Sequence, residues 1–590
     1  MRARRVTPGR NDGDSRGAFE GSARGRIDGR ARGRIDLGAR GRIEGSARAR
    51  RELLAELLGP GGRFVVASNR GPIRFDHDPD APAGLGWTRG SGGLVTGLSE
   101  LGRHAPLTWV AVAGGDGDVV AAREVGRAHR PLGSIPGRDR RLARRVRDIL
   151  TEALPDQDTR LQFEIVPPEI YDDYYEVVAN PFLWFLQHQM WDLPYGPNVD
   201  EGLLDAWRRG YRPANRLLAD AVVATARRLP HPVVLLQDYH LYLAAPSIRE
   251  ALPGATILHF THIPWPPDSL WQVLPQGIRR EICHGLLACD IVGLQTDRYA
   301  THFLDTIASF VRDARVDRDG RSVRWRDRRI RVRTYPIAVD PGGLARVARS
   351  DAVETWLARL RERLARAGDP LLIVRADRIE PSKNALRGFL AFEALLERRP
   401  ELRESVRFVA VQAPTRTAVE EYGEYAAAVR EVVARINGLA EPDEQPVWIY
   451  DGTDYAMAIA ALRAADVVLV NPIVDGMNLV VKEAILVGER NPAIILSETA
   501  GAAEQLADDC LTVAPADIVG TVNQLERALT MPPDERRARL RRLRASVRAE
   551  DVVWWLDRQI RDLVAVRRGE LPPSRRLRDE VRRVEPPSPE

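Results

Sequence analysis

The sequence predicts an α/β protein built from two parallel-sheet domains that face each other across a cleft. Short, nearly continuous apolar runs alternate with helical segments through most of the 590 residues. Such runs are typical of parallel strands whose sheet is covered by helices on both faces. One β/α series ends near residues 340–352, and a second begins at the run PLLIVRA. We therefore expect the boundary between the two domains in that interval.

Eight apolar runs are the candidate strands, and each stops at a polar or glycine-containing turn. Because ligands of parallel sheets bind beyond the carboxyl ends of the strands, we expect the functional residues where these runs stop. The runs of the first domain are RFVVASN, PVVLLQD, ATILHFT and DIVGLQT, and those of the second are PLLIVRA, VRFVAVQ, DVVLVNP and PAIILSE.

The two ends of the chain differ from this body. An eight-residue unit repeats in the first 50 residues (ARGRIDGR, ARGRIDLG, ARGRIEGS), which contain too few apolar side chains to form a core. The last 20 residues have the same character. We predict a disordered tail over 1–55, a first Rossmann-like domain over 56–345, a second over 346–548, a helix over 549–568 that packs back on the first domain, and a disordered tail over 569–590.

Composition excludes several classes of protein. Apolar residues make up 44% and charged residues 29% of the chain, as in globular domains. No apolar run reaches the roughly 18 residues of a membrane helix, and the N-terminus lacks a secretory signal. We therefore expect a cytoplasmic protein without a membrane partner. The net charge is +5, but the first 51 residues hold 15 Arg against 6 acidic residues. The body is thus mildly acidic, and no nucleic-acid partner is expected.

The three cysteines indicate neither a disulfide framework nor a metal centre. Cys283, Cys289 and Cys510 have neither disulfide nor metal-ligand spacing. No metal and no cofactor are expected.

Polar residues of unusual type follow the predicted strands of the first domain. Arg70 follows the first strand, and a Gly-Gly pair that includes Gly93 follows a loop. The stretch QDYHL puts Asp238 and His240 after another strand, and HIPWP puts His262 after the next.

The second domain carries an anion-binding pattern. In NPIVDGMNLVVKEAILVGE, a strand ends before a turn at Asp475, and a helix begins near Asn478. Exposed amides at a helix start, together with the positive end of its dipole, favour an anion. Arg378 and Lys383 follow the first strand of this domain and could add charge opposite those amides, which suits a diphosphate. Glu483, in the second helical turn, could accept from a vicinal diol such as that of ribose.

Lysine is rare in a chain whose 87 basic residues are otherwise arginine, and it occurs at Lys383 and Lys482 alone. A compact ammonium suits a narrow space beside a phosphate better than a planar guanidinium does. We expect this role for Lys383. We expect Lys482 on the packing or solvent side of its helix, where arginine would be tolerated.

Each of these residues alone also has an ordinary explanation. Arg70 could be a surface arginine, His262 a buried core histidine, and Asp475-Gly476 a simple turn. Neither the P-loop pattern nor the dinucleotide-binding pattern occurs. From residues alone, the sequence indicates a two-domain α/β protein that binds a phosphorylated or nucleotide ligand.

The order of the motifs resembles one family. SNR…GGL, DYHL, HIPWP, R-x4-K, DGMNLV-x-KE and LSETAGAA follow one another as in the trehalose-6-phosphate synthases, over about residues 62–565. These are retaining glycosyltransferases of family 20 with the GT-B fold, in which two Rossmann-like domains enclose a cleft. The resemblance implies transfer of glucose from a nucleotide sugar, UDP- or GDP-glucose, to glucose 6-phosphate, which yields α,α-trehalose 6-phosphate.

The resemblance also implies a role for each matching residue. Asp238, His262, Arg378 and Lys383 would form the catalytic set, with Arg378 and Lys383 on the donor diphosphate and His262 near the reacting centre. The other donor-binding positions would be Gly93, Asp475, Gly476, Met477, Asn478, Leu479 and Glu483, and the acceptor-binding positions Arg70, Tyr175, Trp184, Asp238 and Arg416. The acceptor hydroxyl would approach the face of the sugar from which the diphosphate departs. The departing diphosphate would take the proton of that hydroxyl.

Several positions depart from the family pattern. Where the family commonly has RLDYSKG, this chain has RIEPSKN, with Glu380, Pro381 and Asn384 as the changed residues. Val112 replaces an acceptor-side tryptophan, and the segment around Arg416 is one residue shorter.

These departures leave the true acceptor open. The alternatives are a pseudo-glycosyltransferase that joins cyclitol units through nitrogen, an enzyme that uses glycerol 3-phosphate, and a non-catalytic regulatory homologue. The choice between UDP and GDP, and assembly as a homo-oligomer, also stay open.

Overall fold

Two sheets, one in each half of the chain, organise the fold. The computed structural model describes residues 39–90, 93–128, 140–155, 157–194, 196–413, 420–438 and 440–570. The strands in chain order are β1 (Phe64–Ser68), β2 (Ile73–His77), β3 (Leu85–Arg89), β4 (Leu107–Val112), β5 (Thr159–Glu164), β6 (Val233–Gln237), β7 (Thr256–Phe260), β8 (Ile291–Leu294), β9 (Ala314–Asp317), β10 (Ser322–Trp325), β11 (Arg328–Thr334), β12 (Leu371–Arg378), β13 (Val406–Ala413), β14 (Val447–Asp451), β15 (Val467–Val470), β16 (Ala493–Ser497) and β17 (Leu511–Val513).

Both sheets are mainly parallel, as the near-continuous apolar runs predict. The first has the order β5-β4-β1-β6-β7-β8-β11-β10-β9, with antiparallel pairing at β9 and β10. The second has the order β14-β13-β12-β15-β16-β17 and is parallel throughout. A separate antiparallel hairpin is formed by β2 and β3. Each of the eight predicted runs contains a strand.

Helices cover both faces of the sheets. Those of the first half are α1 (Ala39–Leu58), α2 (Gly93–His104), α3 (Asp116–Ala128), α4 (Arg140–Ala153), α5 (Pro168–Tyr171), α6 (Phe185–Gln187), α7 (Glu201–Ala206), α8 (Arg212–Ala226), α9 (Ala244–Ala251), α10 (Asp268–Trp271), α11 (Gln276–Leu287) and α12 (Asp297–Phe310). Those of the second are α13 (Pro341–Val347), α14 (Asp351–Arg366), α15 (Ala385–Arg398), α16 (Leu402–Ser405), α17 (Glu420–Asn437), α18 (Tyr455–Ala464), α19 (Leu479–Val487), α20 (Ala503–Leu506), α21 (Ile518–Thr530), α22 (Pro533–Ala549) and α23 (Val552–Arg567). Wider π-helical turns span Asp172–Trp184 and Trp207–Tyr211. No helix among the described residues is both long and apolar enough to cross a membrane.

The chain passes between the two sheets twice. It leaves the first sheet after β11 and enters the second through α13 and α14, and it returns between α22 and α23. The returning helix α23 lies against α1, α2 and β7. The two crossings touch, because the amide of Val552 donates to the carbonyl oxygen of Val339 at 3.0 Å.

The helix α1 corrects the predicted extent of the N-terminal tail. Residues 39–55, expected to be disordered, belong to this helix. Its end carries an apolar stripe that includes Leu54 and Leu57, both buried, and Arg50 pairs with Asp557 of α23. The repeats give the N-terminal segment a uniform composition, so the sequence does not distinguish its last part. The end of α1 is ordered because it is buried against the distant helix α23.

Candidate functional site

The carboxyl ends of the two sheets meet at the cleft between the domains, and most of the predicted site residues lie there. Arg70 follows β1, Asp238 follows β6 and His262 follows β7, while Arg378 ends β12. The second domain reaches this edge with the turn at Asp475, whose carbonyl oxygen accepts from the Tyr299 hydroxyl of the first domain at 2.9 Å.

Lys383 and Asp475 form the central ion pair of the second-domain side. The Nζ of Lys383 lies 2.5 Å from Oδ2 of Asp475 and 3.8 Å from Oε1 of Glu380. Burial disfavours the charged form of Asp475, but the adjacent ammonium outweighs it and keeps the pKa of that carboxyl below its ordinary value. The pair therefore presents one cation and one carboxylate to the cleft.

The loop after β12 carries the three residues that depart from the family pattern, Glu380, Pro381 and Asn384. Glu380 is 1% exposed and accepts from Arg378 Nη2 at 3.2 Å and from Ser382 Oγ at 3.0 Å. Pro381 opens a short 3₁₀ turn, where its fixed φ is favourable. Arg378 itself is half exposed, so its guanidinium borders the cleft.

Asn384 explains how the chain manages without the family's glycine. Its φ is +59°, in the left-handed region that asparagine tolerates better than most residues. Its side-chain Nδ2 donates to the carbonyl oxygens of Asn471 and Pro515, at 3.0 and 2.7 Å. The side chain thus stabilises a backbone conformation that glycine would adopt at no steric cost.

The helix α19 begins at the same point of the cleft. Asn478 caps it by accepting from the amide of Val481, and its Nδ2 donates to Asp475 Oδ2 at 3.1 Å. Glu483 lies in the second turn and accepts from the Tyr455 hydroxyl at 2.8 Å. Burial raises the pKa of Glu483 to about 7.

Gly476 must be glycine for a packing reason. A Cβ at this position would collide with the carbonyl oxygen of His262. Met477, the next residue, is buried, and Leu479 lies so close to Gly93 that a Cβ on Gly93 would clash with it. The start of α19 is therefore in direct contact with the first domain.

His262 and Asp238 form the first-domain side of this contact. The amide of His262 donates to Asp238 Oδ1 at 3.0 Å, and its ring Nε2 lies 3.0 Å from Oε1 of Gln237. With this orientation of the Gln237 amide, its oxygen can only accept, so Nε2 is the nitrogen that carries the proton. Burial lowers the pKa of His262 to about 3, so the ring is neutral and Nδ1 has a free lone pair for accepting. Burial also raises the pKa of Asp238 to about 6.

Three of the residues predicted for an acceptor, Arg70, Tyr175 and Trp184, have aromatic neighbours in the first domain. Arg70 Nη2 donates to the Tyr175 hydroxyl at 2.7 Å, and Tyr175 stacks against His240. Trp184 is almost fully buried and stacks on His188 at 4.0 Å between ring centroids. Tyr175 and Trp184 belong to the same π-helical segment, Asp172–Trp184.

Two further acceptor-side positions are Arg416 and Val112. Arg416 lies outside the described residues. Val112, which stands where the family has tryptophan, ends β4 and is buried in the core of the first domain. At this position the side chain packs in the core, and no indole is present to contact an acceptor.

Lys482 corrects part of an expectation. It lies on the packing side of its helix, which is one of the two sides that we expected. Its ammonium is buried as well, and Nζ donates to the carbonyl oxygen of Ile337 at 3.1 Å. Burial lowers the pKa of Lys482 to about 8. Because a guanidinium is larger than the ammonium that this closed space holds, we expect Lys482→Arg to be tolerated less well than the sequence suggests.

Several residues of the site escaped the sequence argument. Gln237 and Gln295 are polar residues inside otherwise apolar runs, LLQD and GLQT, and that contrast was an available signal. Tyr299, Tyr455 and His188 had no such signal, because only the tertiary structure brings them to the cleft. Among the residues that the structure describes, no group of three or more His, Cys, Asp or Glu side chains could hold a metal ion.

Comparisons with known proteins agree with this architecture. The chain is 30% identical over 507 residues to validamine 7-phosphate valienyltransferase of Streptomyces hygroscopicus subsp. jinggangensis, covering 86% of this chain and 95% of the relative. It is 32% identical over 524 residues to trehalose-6-phosphate synthase of Mycobacterium marinum, covering 84% and 96%.

A solved structure shows the same fold. The α,α-trehalose-phosphate synthase (UDP-forming) of Burkholderia xenovorans, in complex with glucose-6-phosphate, superimposes with a TM-score of 0.67 at 28% identity, covering 85% of this chain and all of that one. The predicted GT-B arrangement and the predicted glycosyltransferase class are confirmed. Because the family model of glycosyltransferase family 20 matches residues 62–565, the chain belongs to that family.

Proposed function

We propose that the chain transfers glucose from UDP- or GDP-glucose to glucose 6-phosphate with retention of configuration. The products would be α,α-trehalose 6-phosphate and the nucleoside diphosphate. The observation that carries this proposal is the Lys383–Asp475 pair at the capped start of α19, opposite the neutral ring of His262.

The second domain would hold the donor. Arg378 and Lys383 offer two cations beside the amides at the start of α19, and together they would stabilise the charge that grows on the departing diphosphate. A diphosphate that recruits Lys383 frees an oxygen of Asp475, which can then accept from a hydroxyl of the donor sugar. Glu483 would accept from the ribose diol.

The first domain would hold the acceptor and the reacting centre. Arg70, already oriented by Tyr175, would bind the acceptor phosphate together with Arg416, while Trp184 would border the sugar. The bare Nδ1 of His262 can accept from a hydroxyl of the donor sugar, and Asp238 can accept from others.

The chemical step would need little covalent help from the protein. The bond between the sugar C1 and the phosphate oxygen breaks, and the acceptor oxygen bonds to C1 on the same face. The proton of the acceptor hydroxyl passes to the departing phosphate oxygen. The enzyme's contribution is therefore positioning and electrostatic stabilisation.

A cyclitol transferase is the second candidate. Identity to a valienyltransferase is 30% over 507 residues, and the acceptor side departs from the synthase pattern at Val112. In that reaction an amine of a cyclitol phosphate would take the place of the sugar hydroxyl. A non-catalytic homologue is disfavoured, because Arg378, Lys383 and Glu483 are all retained.

An acceptor screen distinguishes these candidates. The purified protein is incubated with UDP- or GDP-glucose and, separately, with glucose 6-phosphate, glycerol 3-phosphate or an aminocyclitol phosphate, and mass spectrometry detects the product. A nucleotide-linked cyclitol donor is tested with the same acceptors. Trehalose 6-phosphate as the main product supports the proposal, and turnover with the cyclitol pair alone contradicts it.

A further inference from the structure

The buried Lys482 touches the point where the chain crosses between the domains. It projects from α19, one residue before Glu483, and its Nζ donates to the carbonyl oxygen of Ile337 at 3.1 Å. Ile337 belongs to the first crossing, two residues before the contact of Val339 with Val552 in the second. The helix that starts at the candidate donor site is thus attached to the junction of both crossings.

The same residue of the crossing is attached to the first domain. The amide of Ile337 donates to Oε1 of Gln295 at 2.9 Å, and Nε2 of Gln295 donates to the carbonyl oxygen of His262 at 3.2 Å. Gln295 is buried, so both of its hydrogen bonds are shielded from water. A continuous series of hydrogen bonds therefore runs from Lys482 through Ile337 and Gln295 to His262.

The series closes on itself at the site. The carbonyl oxygen of His262 that accepts from Gln295 is also the atom that leaves no room for a Cβ at Gly476. Gly476 lies three residues before the first residue of α19, the helix that carries Lys482. Both ends of the series thus reach the turn Asp475–Asn478 on the proposed donor side. One end reaches it through the first domain and the other through the second.

We infer that Lys482 and Gln295 are positioning residues, which hold the His262 main chain and the start of α19 in one fixed relation through Ile337. The functional part of this inference rests on the proposed roles of His262 and α19. A buried ammonium is costly unless it satisfies a buried acceptor, and here it satisfies a carbonyl oxygen of the crossing. Neither side chain needs to touch a substrate.

Hydrogen–deuterium exchange of the full-length protein tests the coupling without any substrate. The variants are Lys482→Met and Gln295→Met, which keep length and remove the hydrogen bonds. Because each leaves an acceptor or donor of the series unpaired, exchange of the amides in 260–264 and 476–480 should rise about ten-fold in both.

Two matched controls lie outside the series. Arg544 donates to the carbonyl oxygen of Ile485, on α19 itself, and Gln559 is a buried glutamine of α23. Arg544→Met and Gln559→Met should leave exchange in 260–264 within about two-fold of the wild type. If the Met variants do not fold, Lys482→Gln and Gln295→Glu replace them, since each retains one hydrogen-bonding atom, and a smaller rise is expected.

Kinetics supply the second reading. Each Met variant should lower kcat about ten-fold and leave the KM of the nucleotide sugar within about three-fold, and the double variant should be no worse than the poorer single variant. Unchanged exchange in 260–264, or kcat losses that multiply in the double variant, would overturn the inference. If the wild type transfers nothing to glucose 6-phosphate, the proposed function fails, whereas the exchange data still decide the coupling.

Discussion

Lys383 and Lys482 each hold an ammonium group against oxygen atoms in a confined space. Lys383 is 17% exposed and contacts Asp475, while Lys482 is fully buried against a backbone carbonyl. A guanidinium is larger, planar and spreads its donors over a fork, so we expect it to be a poor replacement for a point charge at either place. The two lysines in this arginine-rich chain thus have a common geometric reason.

The first prediction concerns Lys383. Lys383→Ala should lower kcat by about 10²–10³, the scale for removing one preorganised donor that stabilises charge in the transition state. Lys383→Arg should also be impaired, because the longer fork displaces the diphosphate. Initial-rate kinetics with saturating substrates measure both.

A matched control for this prediction is Arg387→Lys, on α15 near the same loop, whose guanidinium contacts Asn384 Oδ1 at 3.1 Å. It should keep kcat within a few-fold. Full activity in Lys383→Arg would show that the residue type at 383 carries no special chemistry.

The second prediction concerns the pH dependence of donor binding. Burial raises the pKa of Glu483 to about 7. The carboxylate form, which accepts from a diol with both oxygens, is therefore lost as the pH falls through 7. The Kd of the nucleotide sugar should rise about ten-fold between about pH 8 and about pH 6, since each unit below the pKa depletes the carboxylate about ten-fold.

Calorimetric titration across that range measures the effect. Glu483→Gln is the control, because an amide has no charge to lose, and its Kd should be weaker but nearly independent of pH. A wild-type Kd that stays constant from pH 8 to pH 6 would contradict the assignment of Glu483 to the donor.

At the scale of elements, α1 divides the N-terminal segment into two parts with different consequences. Removing residues 1–38 should leave kcat/KM within a few-fold, since this part is low in complexity. Removing residues 1–58 takes away α1 and uncovers its apolar contact with α23, so Tm should fall by several degrees or more. Differential scanning calorimetry of the two truncations makes the comparison.

A point variant isolates the polar part of that contact. Arg50→Ala leaves the partly buried Asp557 without this partner and should cost about 1–3 kcal/mol of the free energy of unfolding. Arg48→Ala is its control, because Arg48 pairs with Glu52 on the exposed face. For the two truncations, equal Tm values of the proteins that lack residues 1–38 and 1–58 would mean that α1 does not stabilise the fold.

The start of α19 shows how one element joins sequence and tertiary effects. Asn478 caps the helix through a local hydrogen bond that the sequence suggests. In the proposed function, the amides at the start of the helix act together with Lys383 and Arg378, which follow another strand of the same sheet. The motif predicts the helix, and the sheet order determines what faces it.

At the scale of the whole molecule, the two domains should divide the substrates between them. Arg70→Ala should raise the KM of the phosphorylated acceptor at least ten-fold and leave that of the nucleotide sugar within about three-fold. Arg416→Ala should do the same. Asp475→Asn should show the opposite pattern, because its side chain lies on the donor side.

Steady-state kinetics with each substrate varied in turn measure both constants. Arg74→Ala is a control for the first domain, since Arg74 is exposed on the hairpin strand β2 and pairs with Asp76. A rise in the donor KM for Arg70→Ala would reverse the assignment of the two pockets.

The sequence by itself determined the fold class, the eight main strands and most residues of the candidate site. Apolar periodicity and turn residues are local signals. The parallel arrangement then brings Arg70, Asp238 and His262 to one edge of the first sheet and Arg378 to the same edge of the second. Local signals also located the Asp475–Asn478 turn.

Only the tertiary structure decided the rest, because burial depends on segments far apart in the chain. Leu54 and Arg50 are ordered by a helix some 500 residues later. The burial of Lys482 has the same reason, since its ammonium donates to the carbonyl oxygen of Ile337 in the crossing. The pKa values of Glu483 and His262 likewise depend on desolvation, which no spacing of residues in the sequence reveals.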